Sequence, residues 1–176
     1  MTSVRITPAS RSITPTVGDH PEHLRLSLKP PGPTTGVVDG GWWPRSWDLA
    51  AEVPALLTAL APRLGSVEDV SYNLDDWGPT PRKIKLGETR VRLAGYRSLH
   101  RNTIDVRGAR QRVTLLVVAP EVTASVARAA LRDAGHPANA DGVETLLRTS
   151  VDRSADEARD RRWETDGGAV RSAPPE

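Results

Sequence analysis

Cysteine and phenylalanine are both missing from these 176 residues, and methionine occurs once. Without cysteine there is no disulfide framework, no thiolate metal site and no cysteine nucleophile. Without phenylalanine, the core volume that residue would take falls to leucine and to the five tryptophans. Lysine is scarce as well, at positions 29, 83 and 85 only, so nearly all the cations are arginine. A GC-rich coding bias explains that skew as well as a binding demand does. No stretch approaches the roughly 18 apolar residues needed to cross a bilayer. The N-terminal segment lacks the apolar core of a secretory signal. A cytoplasmic protein with no membrane partner is the expectation.

The chemistry of several common sites is missing too. There is no GxxxxGK[ST] loop, no GxGxxG after a strand and no GxSxG elbow. His20, His23, His100 and His136 show none of the HxxxH or HExxH spacings that set two imidazoles on one metal. Asp75 and Asp76 are adjacent, so in an extended chain they point apart rather than into one acid–base site. No catalytic residue, metal or cofactor is expected.

What is present reads as one domain between two tails. Residues 1–22 are rich in Ser, Thr and Pro and read as disordered. An α+β domain is expected over 23–150, followed by a charged tail over 151–176. Leu24, Leu26 and Leu28 alternate with polar residues as a half-buried strand does. Asp39-Gly40, between short apolar runs, reads as the turn of a small hairpin. A helix is expected from Ser46 or Asp48 to Leu64, with Gly65 ending it and Pro54 kinking it or splitting it in two.

Strands follow at Val70–Leu74, Ile84–Leu86 and Thr89–Leu93, the last two joined at Gly87-Glu88. Another hairpin covers Thr103–Arg107 and Gln111–Ala119, turning at Gly108-Ala109. Val113–Val118 is apolar on both faces, as a central covered strand is. Helices are expected at Pro120–Ala134 and about Ala140–Leu147. The fold expected is an antiparallel sheet of about five to seven strands, with helices packed mainly on one face.

Two features bear on function. The first is the segment from Asp39 to Asp48, DGGWWPRSWD. Pro44 holds Trp43 extended, which sends Trp42 and Trp43 to opposite faces. As a ligand site, this segment with Trp77 and Tyr96 would offer indole faces, Arg45 as anion clamp, and Asp39 or Asp48 to orient it. As structure, it is a tryptophan-filled corner closing a core that has no phenylalanine. Packing is the commoner fate of such aromatics. A non-catalytic binding or regulatory module on this loop is the first functional reading. A small enzyme using Asp39, Arg45, Asp48 and His100 is an alternative.

The second feature is charge segregation. Lys83, Lys85, Arg90, Arg92, Arg107, Arg110 and Arg112 fall in predicted strands and turns. Ile84, Val91, Leu93, Ile104 and Val106 take the opposite face. A sheet with one basic side is expected. Solvation, or pairing with the acidic tail from Asp152 to Asp166, would offset the repulsion. Nucleic-acid phosphate is the other candidate partner, with Tyr96 alone available to stack on a base. Another protein or a small anionic ligand are the remaining partners considered.

The runs LRLSLKPPGPTTGVVDGGWWPRSWDLAAEVPALL, VSYNLDDWGPTPRKI, VRLAGYRSLHRNTIDV and VTLLVV resemble a group of small actinobacterial proteins that share a domain of unknown function. The likeness spans about Leu24 to Leu147. Its most specific element is a DGxWWPRSxDL-like signature at Asp39, Gly40, Trp42, Trp43, Pro44, Arg45, Ser46, Asp48 and Leu49. The resemblance implies a single domain and carries no activity with it.

Overall fold

Asp48 starts the first helix: its backbone is extended, and its carboxylate accepts from the Ala51 N–H at 3.2 Å. From there α1 (Leu49–Leu64) runs as one element to Gly65. Pro54 and Pro62 lie inside it, so the expected alternative of two abutting helices does not arise. Leu49, Val53, Leu56, Leu57, Leu60 and Leu64 form its buried stripe. The computed structural model describes residues 24–32 and 35–166. The expectations for 1–22 and for 167–176 lie outside the described residues.

Seven strands form a single sheet: β1 (Leu26–Leu28), β2 (Gly40–Trp42), β3 (Val67–Asn73), β4 (Lys83–Leu86), β5 (Thr89–Tyr96), β6 (Thr103–Gly108) and β7 (Arg112–Val117). Their order is β1-β2-β7-β6-β3-β5-β4. The fold is α+β and single-domain, but the sheet is mixed rather than purely antiparallel. β2 runs parallel to β7, and β3 parallel to β5. The second parallel pair arises because the chain leaving β3 skips a position, forms β4 at the edge, and returns between them as β5.

Both predicted hairpins, β4–β5 and β6–β7, are present, with Leu86 opposite Thr89 and Arg107 opposite Arg112. The Asp39-Gly40 hairpin is not. Asp39 instead exchanges bonds with β7: its N–H donates to the Thr114 carbonyl at 2.7 Å, and its carboxylate accepts from the Thr114 N–H at 2.8 Å. Gly40 has no positive φ. Its lack of a side chain serves close approach, since a Cβ there would collide with the Ser27 carbonyl of β1.

The helices lie on both faces, not mainly on one. On β7, Val113, Leu115 and Val117 join α1, Trp42 and Trp77 in the larger core. Leu116, pointing the other way, joins a smaller core built on α2 (Ala124–Ala134) and α3 (Val143–Asp166). Ala127, Ala130 and Ala134 keep α2 close to the sheet, and Gly41 lets Leu131 and Ala134 approach β2. α3 packs on α2 and continues as helix well past Ser150, through the segment expected to be a tail. α2 rests chiefly on β1 and β2, with Leu116 of β7 at the margin of its contact. On that side, no helix among the described residues packs on β6, β3, β5 or β4 as α2 does on β1 and β2.

Candidate functional site

The tryptophan segment is built into the core. Trp42 is fully buried and stacks on Trp77 with ring centroids 5.6 Å apart and planes 20° from parallel. Trp47 meets Trp77 edge-on at 5.5 Å and donates its indole N–H to Glu121. Trp43 takes the opposite face from Trp42, as its extended backbone requires, and packs against the smaller core. The guanidinium over Trp43 belongs to Arg25, 3.6 Å from the ring centroid. It also donates to the Trp43 carbonyl at 3.1 Å and the Pro44 carbonyl at 2.8 Å. Desolvation, and then the nearby charge of Arg45, lower the pKa of Arg25.

The two acids of that segment are engaged with backbone N–H groups. Asp48 caps α1 and Asp39 pairs with Thr114, so the two carboxylates serve different elements. Arg45 is exposed. His100 sits in an exposed turn with Nδ1 2.8 Å from the Arg101 carbonyl. Trp77 is buried in the stack, whereas Tyr96 is 45% exposed and lies on β5. The structure therefore does not gather these residues into one concave site. Among the described residues there is also no cluster of three or more His, Asp or Glu that could hold a metal.

The basic residues do come together. Register places Arg112, Arg107, Asp69, Arg92 and Lys83 in one row across β7, β6, β3, β5 and β4. Lys85 and Arg90 form the next pair beside it. All these cations are exposed and lie on the part of the sheet's α2 side away from α2, where no helix among the described residues is packed. Arg110 is the exception: it lies in the β6–β7 turn and donates to the Pro62 carbonyl at 3.3 Å, at the C-terminal end of α1. A turn residue escapes the alternation that sets strand faces, and the helix's last carbonyls attract a cation.

Three like-charged pairs stand directly opposite one another: Arg107 with Arg112, Lys83 with Arg92, and Lys85 with Arg90. Each costs a few tenths to about 1 kcal/mol. Two acids relieve part of this. Asp69 lies 3.8 Å from Arg92, and Asp105 binds Arg112 while also accepting from Thr114 Oγ1. The Asp105 hydrogen bond raises the pKa of Arg112 above its ordinary value. Lys83, Lys85, Arg90 and Arg107 have no ion pair among the described residues. Asp156, in the acidic C-terminal segment, pairs instead with Arg159 of its own helix.

Residues 25–134 match a family of unknown function, DUF5994. The chain belongs to that family. The DUF5994 region begins just before β1 and ends with α2, so it contains the whole sheet and the basic face but leaves out α3. No curated protein and no solved structure matches the chain. No helix among the described residues is long and apolar enough to cross a membrane.

Several residues that shape this domain escape sequence reasoning. Asp69 reads as one polar position of a strand until β5 and β6 bring Arg92 and Arg107 to either side of it. Arg25 carries no local mark of its stacking partner 18 residues on. Lys29 is 3% exposed, with Nζ donating to the Thr35 carbonyl at 2.6 Å and the Asn139 carbonyl at 2.7 Å. Burial lowers its pKa, and Asp39 opposes that shift. Its one sequence signal is its position at the end of a strand whose preceding leucines are half-buried.

Proposed function

We propose that the protein binds a phosphate-rich polyanion, a nucleic-acid backbone, on the helix-free face of β6, β3, β5 and β4. The observation that carries this reading is the transverse row from Arg112 to Lys83, flanked by Lys85 and Arg90, in which Arg107, Lys83, Lys85 and Arg90 have no acidic partner among the described residues. Five strands at about 4.8 Å spacing stretch this row over roughly 19 Å. That is a length suited to several phosphates of an extended strand. Repulsion between facing cations, which isolated folding leaves standing, is relieved when phosphates lie between them. The tryptophan loop is a weaker seat for a ligand, because Trp42 and Trp77 spend their ring faces on each other.

Equilibrium binding of a single-stranded oligonucleotide across a salt series tests the proposal. If Lys83, Lys85, Arg90 and Arg107 each displace counterions from a single strand, the log–log salt slope should be about −3. Arg107→Gln should make it shallower by about 0.7 and weaken binding whatever the base sequence. Absence of binding at low salt removes the proposal.

A further inference from the structure

β5 extends past its last rung with β4, Lys83 opposite Arg92, by the residues Leu93 to Tyr96, of which Leu93 still donates its N–H to the Arg82 carbonyl. The edge left open there is the floor of a groove of about 630 Å³. Arg82, Lys83 and Arg92 bring positive charge to it, while Leu74 and Tyr96 bring exposed apolar surface. Gly95 makes room for the second feature, since a Cβ there would stand 2.7 Å from Leu74 Cγ and 3.0 Å from Tyr72 Cζ. On the helix-free face, a smaller depression of about 120 Å³ is lined by Asp69, Asp105, Arg107 and Arg112, and again by Tyr96. One half-exposed aromatic ring thus borders two concavities, each with its own guanidinium groups.

Resting on the polyanion reading, we infer that the ligand is single-stranded nucleic acid, with an unpaired base stacked on Tyr96 and phosphates held on either side of it. A polyanion without bases would use the cations and ignore the ring. A duplex would present phosphates but hide its base faces within the helix. Of these three, only an unpaired strand offers a π face and flanking phosphates together, and stacking of this kind tolerates any base. The groove's apolar wall, which electrostatics alone does not call for, acquires a role as the side of a base slot.

The experiment compares three probes on the full chain at low salt: oligo(dT), a duplex of equal length, and inorganic polyphosphate. Wild type, Tyr96→Leu and Tyr96→Phe are measured in parallel. The expected result is tighter binding of oligo(dT) than of the duplex, and a loss of roughly tenfold in oligo(dT) affinity for Tyr96→Leu. Tyr96→Phe should retain that affinity, and polyphosphate binding should be unchanged in both variants, which also shows that they are folded. Equal oligo(dT) affinity in wild type and Tyr96→Leu, or a preference for the duplex, overturns the stacking inference while leaving the polyanion surface standing. If none of the three probes binds wild type, the underlying reading fails and the inference with it.

Discussion

Replacing Trp42 by alanine asks whether the tryptophan segment is core or site. The side chain is fully inaccessible, stacks on Trp77 at 5.6 Å, and lies among the leucines of α1 and the valines of β6 and β7. Removing a buried ring of this size costs about 3–5 kcal/mol through lost transfer energy and an unfilled cavity. The lost stack with Trp77 contributes about 0.5–1.5 kcal/mol of the effect. For a chain of this length each kcal/mol moves the melting temperature by about 2–4 °C, so a fall of about 6–20 °C is expected. Among the described residues the Trp42 indole N–H has no acceptor. Trp42→Phe therefore discards an unpaired buried donor along with some area, and should cost clearly less than the alanine change. Urea unfolding followed by far-ultraviolet circular dichroism measures both. A loss below about 1 kcal/mol for Trp42→Ala would contradict the packing argument and return the loop to consideration as a binding surface.

Two further predictions separate structural roles from functional ones. Asp48→Ala should cost about 1 kcal/mol in urea unfolding by removing the α1 cap, while Asp48→Asn retains most of that stability; equal losses would count against capping. Lys29 has a folded-state pKa below its unfolded value because of burial. Between those two values the unfolded chain binds more protons, so stability should rise with pH relative to Lys29→Met. Unfolding midpoints of the two proteins measured from pH 7 to 10.5 should diverge in favour of wild type. A constant difference would show that burial does not perturb this ammonium.

Local pattern carried a large share of the fold. The α1 stripe, the Asp48 cap, both two-stranded hairpins and the doubly covered β7 follow from periodicity and turn residues within short windows. The opposed faces of Trp42 and Trp43 were equally legible, since Pro44 constrains the residue before it. The Asp39-Gly40 hairpin failed for a physical reason. The dipeptide suits a turn, but a glycine also suits strands that approach too closely for any side chain, and only the neighbours distinguish the two uses. The basic face was visible as alternation along β4 to β7, apart from Arg110, which sits where alternation no longer applies.

The amino-acid sequence by itself determined α1, the β4–β5 and β6–β7 hairpins with their apolar sides, and that one side of the sheet would be cationic. These depend on periods of 2 and 3.6 residues, which are local properties of the chain. Tertiary structure alone decided that β5 returns parallel to β3, that α2 covers only one end of the basic side, and that, among the described residues, Asp69 and Asp105 pair with Arg92 and Arg112 and with no other cation of that face. Strand order, helix placement and ion pairing depend on residues far apart along the chain, and no local period encodes which of them will meet.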